Sequence, residues 1–390
     1  MRDAVIAGAV RTPVGRRKGS LSEHHPVDLA AEVLTALAGR TGLDPAVVDD
    51  VQFGCVSQVG EQSWNVGRNA VLAAGWPEEV PGTTIDRQCG SSQQAIHNAA
   101  AAVIAGHCDV VVAGGVEVMT RVPMGSSVGS GLGTPYGQRV RDRYDGRVGF
   151  ETEAPIPFNQ GVGADMIARK WGLDRARLDA YALESHHKAA AAQDAGEFVA
   201  EITPVGGFTA DEGIRRDTSV EKLGGLTPAF GPDGLVTAGS ASQISDGAAA
   251  VVVTTSQRAA ELGLTAWVRV HTAVVVGSDP VTMLTGPIPA TARALARAGL
   301  GIDDIGAFEV NEAFASVPLA WLAETGADPA RLNPFGGAIA LGHPLGATGA
   351  RLATTLVHHM RAKGLRYGLQ TMCEGGGMAN ATIFELINPA

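Results

Sequence analysis

The chain repeats one order of strand and helix, and that repeat narrows the folds open to it more than any other feature. Gly42-Leu43-Asp44-Pro45-Ala46-Val47-Val48-Asp49-Asp50-Val51-Gln52-Phe53-Gly54 follows an alanine-rich helical stretch, passes an acidic turn and enters a β-rich run. Gly299-Leu300-Gly301-Ile302-Asp303-Asp304-Ile305-Gly306-Ala307-Phe308-Glu309-Val310 does the same far downstream. After Cys89 come a small-residue helix from Ser91 to Ala105, a Gly106 stop and a strand from Asp109 to Ala113. After His343 come a helix from about Ala347 to Lys363, a Gly364 stop and a strand from Tyr367 to Met372. Phe53 and Cys89 are 36 residues apart, and Val310 and His343 are 33. One repeat in fixed order predicts two copies of a β-α-β-type unit and not a solenoid. The wholly apolar runs Val110-Val111-Val112 and Ala249 to Val253 suit strands covered by helices on both faces. The first strand is predicted over Ala4 to Ala9, and the first helix over Pro26 to Gly39, closed by that glycine.

Between the halves, roughly residues 120–245, the pattern breaks. This region opens with the Gly/Ser-rich stretch Gly125 to Gly137, continues through arginines and scattered prolines, and holds one clear helix, Leu178 to Ala195. It reads as an insertion lying over the top of the first half. Gly129-Ser130-Gly131-Leu132-Gly133 invites a phosphate-loop reading, but no strand precedes it and no helix follows. A loop that is flexible or contacts another subunit fits better.

At 390 residues, two or three domains or a duplicated fold are expected. A hydrophobic share of 45% with 18% charged residues is ordinary for a globular protein. The net charge of −10 argues against nucleic acid as a partner. Local arginine clusters (Arg16-Arg17-Lys18, Arg139 to Arg147, Arg215-Arg216) still leave room for a small polyanion. The cysteines, Cys55, Cys89, Cys108 and Cys373, lack the close spacing of a zinc site. The opening apolar run ends at Arg11-Thr12-Pro13, too short for a leader's core, and no run approaches the ~18 residues of a membrane span. Reduced thiols in a cytoplasmic protein without membrane contact are therefore expected.

Two of the cysteines and one histidine stand in glycine-rich settings: Arg87-Gln88-Cys89-Gly90-Ser91-Ser92, Leu341-Gly342-His343-Pro344-Leu345-Gly346-Ala347-Thr348-Gly349 and Met372-Cys373-Glu374-Gly375-Gly376-Gly377. A thiol needs a base or a positive field to act as a nucleophile at neutral pH. Flanking glycines let backbone N–H groups approach a substrate oxygen. Cys89 lies at a predicted strand-to-helix junction, where the N–H groups of Gly90, Ser91 and Ser92 and the helix dipole would favour a thiolate. Each residue also has an ordinary reading: a buried cysteine is usually a small hydrophobe, and a loop histidine is usually structural or solvated. Cys55 and Cys108, beside strands, keep that reading. His186-His187 and His358-His359 are helical neighbours about 100° apart and make no metal site. Asn311, leaving a strand in Asn311-Glu312-Ala313-Phe314, is either a turn residue or an orienting group for a water or an oxyanion.

Taken together these motifs resemble the thiolase family, which makes or breaks the Cα–Cβ bond of 3-oxoacyl-CoA. The likeness spans the chain in order: Arg11-Thr12-Pro13-x-Gly15, the Cys-Gly-Ser at Cys89, Ser242-Gln243-Ile244-Ser245-Asp246-Gly247-Ala248, Asn311-Glu312-Ala313-Phe314, Gly342-His343-Pro344 and Cys373-x-Gly375-Gly376-Gly377. The resemblance implies an α/β fold of two duplicated β-α-β-α-β-α-β-β halves in a five-layered α-β-α-β-α core with an inserted loop domain. The halves would be 1–119 completed by 246–265, and 266–390, with 120–245 inserted and carrying CoA-binding elements.

It further implies that Cys89 is acylated, that His343 takes its proton, and that Cys373 is the second acid/base. Asn311, through a water and with His343, would form one oxyanion hole; the N–H groups of Cys89 and Gly375 would form the other. Ser242, Arg215, Ala313 and Phe314 match CoA-contacting positions. CoA would be a substrate, with no metal or redox cofactor, and the chain would form a homodimer or homotetramer. Two departures stand out. Asn333-Pro334-Phe335-Gly336-Gly337 carries Phe335 where asparagine is usual, and Phe158-Asn159-Gln160-Gly161 replaces the Tyr-His-Met-Gly of acetoacetyl-CoA thiolases. The second departure, with a weaker likeness of Gly60-Glu61-Gln62-Ser63 to thiolases of steroid breakdown, predicts degradation of acyl groups bulkier than acetoacetyl; a biosynthetic acetoacetyl-CoA thiolase is the alternative. Ketosynthases and HMG-CoA synthases lack the Cys373 motif, a silent CoA- or lipid-binding relative would have lost Cys89 or His343, and a dehydrogenase would need a glycine fingerprint after its first strand.

Overall fold

The computed structural model describes residues 2–128 and 133–387. The first half runs β1 (Val5–Arg11), a short β2 (Gly15–Arg16), α1 (Pro26–Thr41), β3 (Asp50–Gly54), α2 (Val66–Ala73), β4 (Gly82–Ile85), α3 (Ser91–Ala105) and β5 (Val110–Val118). The region between contributes α4 (Gln138–Tyr144), α5 (Gln160–Lys170), α6 (Arg175–Asp194) and α7 (Val220–Gly224). The chain then forms β6 (Ser245–Thr254), α8 (Ser256–Glu261), β7 (Val268–Gly277), α9 (Pro287–Ala298), β8 (Ala307–Val310) and α10 (Ser316–Thr325). It closes with α11 (Ala338–Leu341), α12 (Leu345–Lys363), β9 (Tyr367–Glu374) and β10 (Met378–Leu386).

The repeat is visible in the pairing. Strand order is β4-β3-β5-β6-β1 in one half and β7-β10-β9-β8 in the other. In each half the outer strands pair in parallel (β4 with β3 and β3 with β5 in one, β8 with β9 in the other) and the inner pairs are antiparallel. The half-sheets abut through β1 and β7 over two residue pairs, Val5 with Arg269 and Ile6 with Val268. Helices α3 and α12 lie between the half-sheets, α1 covers the outside of the first and α9 the outside of the second.

Alternation along the strands builds these layers. Val110 and Val112 of β5 and Ala250 and Val252 of β6 enter the core shared with α1, whereas Val111, Ala113, Val251 and Val253 enter the central core with Ile96 of α3 and Leu356 of α12. Side chains of a strand point to opposite faces in turn, so a strand buried on both faces reads as a continuous apolar run.

Two expectations need correction. The first helix runs two residues past Gly39, and its left-handed cap is Gly42 at φ 73°, where the missing Cβ avoids a steric cost. The inserted region packs against both halves and not the first alone: Val205 joins the first half's core and Arg11 pairs with Glu201 and Asp211, while Ala164, Ile167, Leu178 and Ala182 share a core with Phe308, Phe314, Leu319 and Trp321 of the second. The cause is that α5 and α6 offer their apolar faces to α10 and α11. Gly129 to Leu132 lie outside the described residues; α4 does follow that stretch, starting at Gln138.

Candidate active site

Cys89 and His343 each stand two residues ahead of a central helix, Cys89 before α3 and His343 before α12. Cys373, the last residue but one of β9, neighbours Cys89, and all three are buried. Cys89 is set by a tight turn in which Gln88 takes φ 49°, the Gly90 N–H donates to Arg87 O (3.0 Å) and the Ser91 N–H donates to Gln88 O (3.0 Å). Those N–H groups are therefore committed within the turn. The groups facing the sulfur are the N–H of Cys89 itself and that of Gly375, and both favour its thiolate. They do not prevail: burial, with the Glu374 and Glu117 carboxylates, pushes the Cys89 thiol up to about 12. The expected thiolate at the helix N-terminus is thus corrected to a neutral thiol, because desolvation outweighs the dipole. Cys373 is also pushed well above the ordinary thiol range, first by burial and then by neighbouring Cys89.

His343 is fixed on both sides of its ring. Its Nδ1 lies 2.7 Å from Thr348 Oγ1, whose hydroxyl donates to Pro344 O at 2.8 Å. A hydroxyl has one proton, so Oγ1 accepts from Nδ1–H, and Nε2 is left without a proton. Nε2 lies 3.4 Å from Asn311 Nδ2. Burial, then the Arg351 charge, lowers the His343 pKa to about 3. The resting site is therefore a neutral thiol and a neutral imidazole, with the imidazole lone pair available to accept a proton. Asn311 comes from the exit of β8, where its N–H donates to Thr371 O (3.0 Å). Its Oδ1 is buried and unpartnered among the described residues.

Sequence reasoning passed over the acids that brace this site. Glu117, at the end of β5, accepts from the N–H groups of Val56 (2.9 Å), Ser57 (3.0 Å) and Gly346 (2.8 Å) and from Gln62 Nε2 (2.6 Å). It ties the start of α12 to the first half. Glu312 accepts from Tyr181 Oη (2.9 Å), Ser185 Oγ (2.7 Å), Asn333 Nδ2 (3.0 Å) and the Ile339 N–H (3.1 Å), tying α6 to the loop before His343. Glu374 packs against Gly90 so closely that no Cβ fits there, and neither of its carboxyl oxygens has a partner among the described residues. Glu312, Thr348 and Glu374 fall inside motifs already singled out; strand-terminal position was the available signal for Glu117.

The proposed CoA-contacting residues group on the other side. The Ser242 N–H donates to Ala313 O (2.9 Å), and Ala241 bridges to Phe314. Gln243 Nε2 donates to Gly213 O (2.8 Å), and the Arg215 N–H donates to His186 Nδ1 (3.1 Å), so the strap bearing exposed Arg215 is held beside Ser242. Phe335 packs edge-on to Phe198 and His359. Asn159 caps α5, and Phe158 is buried among Tyr136, Tyr144 and Phe150. Cys55 is buried in the first half's core, and Cys108, half-buried, packs at the edge of the central one. Among the described residues no cluster of His, Cys, Asp or Glu could hold a metal ion.

The thiolase N-terminal domain matches residues 4–257 and the thiolase C-terminal domain residues 264–386. The chain belongs to the thiolase family. As a thiolase it is an acyltransferase. It is 50% identical to a steroid 3-ketoacyl-CoA thiolase of Mycobacterium tuberculosis, over 99% of this chain and 94% of that one. It is 44% identical to a 3-ketoacyl-CoA thiolase of Erwinia tasmaniensis, over 99% of this chain and 100% of that one. The crystal structure of the Bacillus anthracis acetyl-CoA acetyltransferase superposes with a TM-score of 0.90 at 37% identity, covering 99% of each chain. The duplicated thiolase fold that the resemblance implied is the fold observed.

Proposed function

We propose that this thiolase cleaves 3-oxoacyl-CoA with CoA, releasing acetyl-CoA and an acyl-CoA two carbons shorter, and that it serves degradation. The observation that carries the reading is a pair of neighbouring buried thiols, together with a buried imidazole before the other central helix whose Nε2 carries no proton. Cys89 Sγ attacks the 3-oxo carbon while its proton passes to His343 Nε2. The Cα–Cβ bond breaks, the electron pair forms the enolate of acetyl-CoA, and the Cys373 thiol protonates the carbon. The thiol of CoA then attacks the acyl-Cys89 thioester, its proton going to the Cys373 thiolate, while Cys89 leaves as a thiolate that takes back the proton held on His343. Once protonated, His343 Nε2–H is a donor, so with Asn311 it holds the enolate oxygen; the N–H groups of Cys89 and Gly375 hold the oxyanion at the acylated carbon. Splitting the exchange through a covalent intermediate gives ping-pong kinetics.

Ser242, Arg215, Ala313 and Phe314 bind the CoA chain in this reading. No metal or redox cofactor enters these steps. The edge of β4, which among the described residues pairs only with β3, supports assembly into a homodimer or homotetramer. No helix among the described residues is long and apolar enough to cross a membrane, which supports a cytoplasmic setting. Degradation is favoured over acetoacetyl-CoA synthesis by Phe158, which gives the region near the Cys373 turn an aromatic wall. Thiolysis measured across 3-oxoacyl lengths at saturating CoA tests this. A maximum beyond four carbons supports degradation, and a maximum at the four-carbon substrate overturns it.

A further inference from the structure

A cleft of about 400 Å³ opens against Gly376, in the turn that follows Cys373. One wall is aromatic: Phe158 meets Tyr136 edge-on at 5.3 Å and Tyr144 at 5.2 Å between ring centroids. The other is the exposed α4, which presents Arg139 and Arg143. Gly376 adopts φ 83°, and a Cβ there would meet nothing within 4 Å, so the turn leaves the cleft mouth open beside the acid/base thiol.

The arginines of this segment divide into two kinds. Arg141 donates to the Thr152 and Ala154 carbonyls, and Arg147 pairs with Asp279. Arg139 and Arg143 form no ion pair or hydrogen bond among the described residues, yet both line the cleft. Residues four apart share a helix face, and two like charges there disfavour the helix unless a counter-charge arrives. This is an uncompensated positive pair on a chain of net charge −10. An apolar wall facing two guanidinium groups matches a molecule that is apolar along its length and anionic at its end, since guanidinium groups bind carboxylates in a fixed fork.

We propose that this cleft receives the acyl chain beyond the reacting carbonyl, and that Arg139 and Arg143 select acyl groups carrying a distal carboxylate. The substrate class is then 3-oxoacyl-CoA thioesters of dicarboxylic acids. This assignment rests on the thiolytic function proposed above.

The test compares two 3-oxoacyl-CoA substrates of equal length, one ending in a methyl group and one in a carboxylate, with the full chain and its R139Q/R143Q double variant. The carboxylate substrate is expected to have the higher kcat/KM, by about tenfold, from a charge-assisted contact. That ratio should collapse in the double variant, mainly through KM, and return in part in R139K/R143K. Equal kcat/KM for the two substrates, or an equal fall for both in the variant, overturns the proposal. A rise in KM for CoA alone would give these arginines to the CoA phosphates and also overturn it. Binding of the matching saturated acyl-CoA thioesters, which have no 3-oxo group to attack, reads the cleft independently of cleavage. A carboxylate preference there that vanishes in R139Q/R143Q upholds the cleft even if thiolysis fails, and its absence refutes the cleft even if thiolysis succeeds.

Discussion

Cys89 and His343 occupy equivalent places in the two halves, each two residues before the first residue of a central helix. Side chains of the neighbouring strands brace them crosswise. Glu117 of the first half accepts from the Gly346 N–H after His343, and Asn380 Nδ2 of the second donates to Gly90 O after Cys89 (3.0 Å). Duplication has thus delivered two reactive groups to one place, with each half supporting the other's turn.

The His343 tautomer depends on one hydroxyl. Thr348→Val keeps the side-chain shape but removes the acceptor for Nδ1–H, so the proton either stays unsatisfied or moves to Nε2 and blocks the base. A buried donor left unpaired costs about 1–3 kcal/mol, so kcat should fall about ten- to a hundredfold, with little change in KM. Steady-state kinetics check this; unchanged kcat would remove Thr348 from the mechanism.

Both reactive groups are neutral at rest, and that has a pH signature. With its thiol pushed up to about 12, Cys89 is protonated below that value, so its alkylation by iodoacetamide should climb steadily with pH and reach no plateau below pH ~10. His343, lowered to about 3, should contribute no inflection between pH 5 and 8 in that range where an ordinary imidazole titrates. Glu374→Gln removes a carboxylate that raises the thiol, so its profile should lie at lower pH. An alkylation plateau near neutrality in the unmodified chain would contradict this.

The architecture and the three reactive residues were legible because they depend on local pattern. Apolar strands, glycine stops after α3 and α12, and glycine-flanked Cys89, His343 and Cys373 can each be read within a few residues. What escaped depends on contacts far apart in sequence. The four partners of Glu312 span Tyr181 to Ile339, and those of Glu117 span Val56 to Gly346. A lone acid in the sequence looks solvated until the fold closes around it. The inserted region's packing against the second half was missed likewise, because apolar faces of α5 and α6 do not name their partners. The thiol's protonation was misread because the helix N-terminus is a local feature, whereas burial and the Glu374 carboxylate come from tertiary structure.

The two cysteines divide the work between acylation and carbon–carbon chemistry. Cys373→Ser should still allow Cys89 to be acylated, while bond cleavage and condensation fall by about 10²–10⁴-fold, as when a general acid/base is lost. Comparing acyl-enzyme formation with overall thiolysis in the variant checks this. Loss of acylation as well, with the fold intact, would mean that Cys373 also serves the first step.

The covalent intermediate at Cys89 is the central claim, and intact mass after incubation with acetyl-CoA tests it most directly. The chain should gain one acetyl group, located at Cys89 by peptide mapping, and Cys89→Ala should gain none. An acetyl group retained in Cys89→Ala, or mapped to Cys373 in the unmodified chain, would contradict the account.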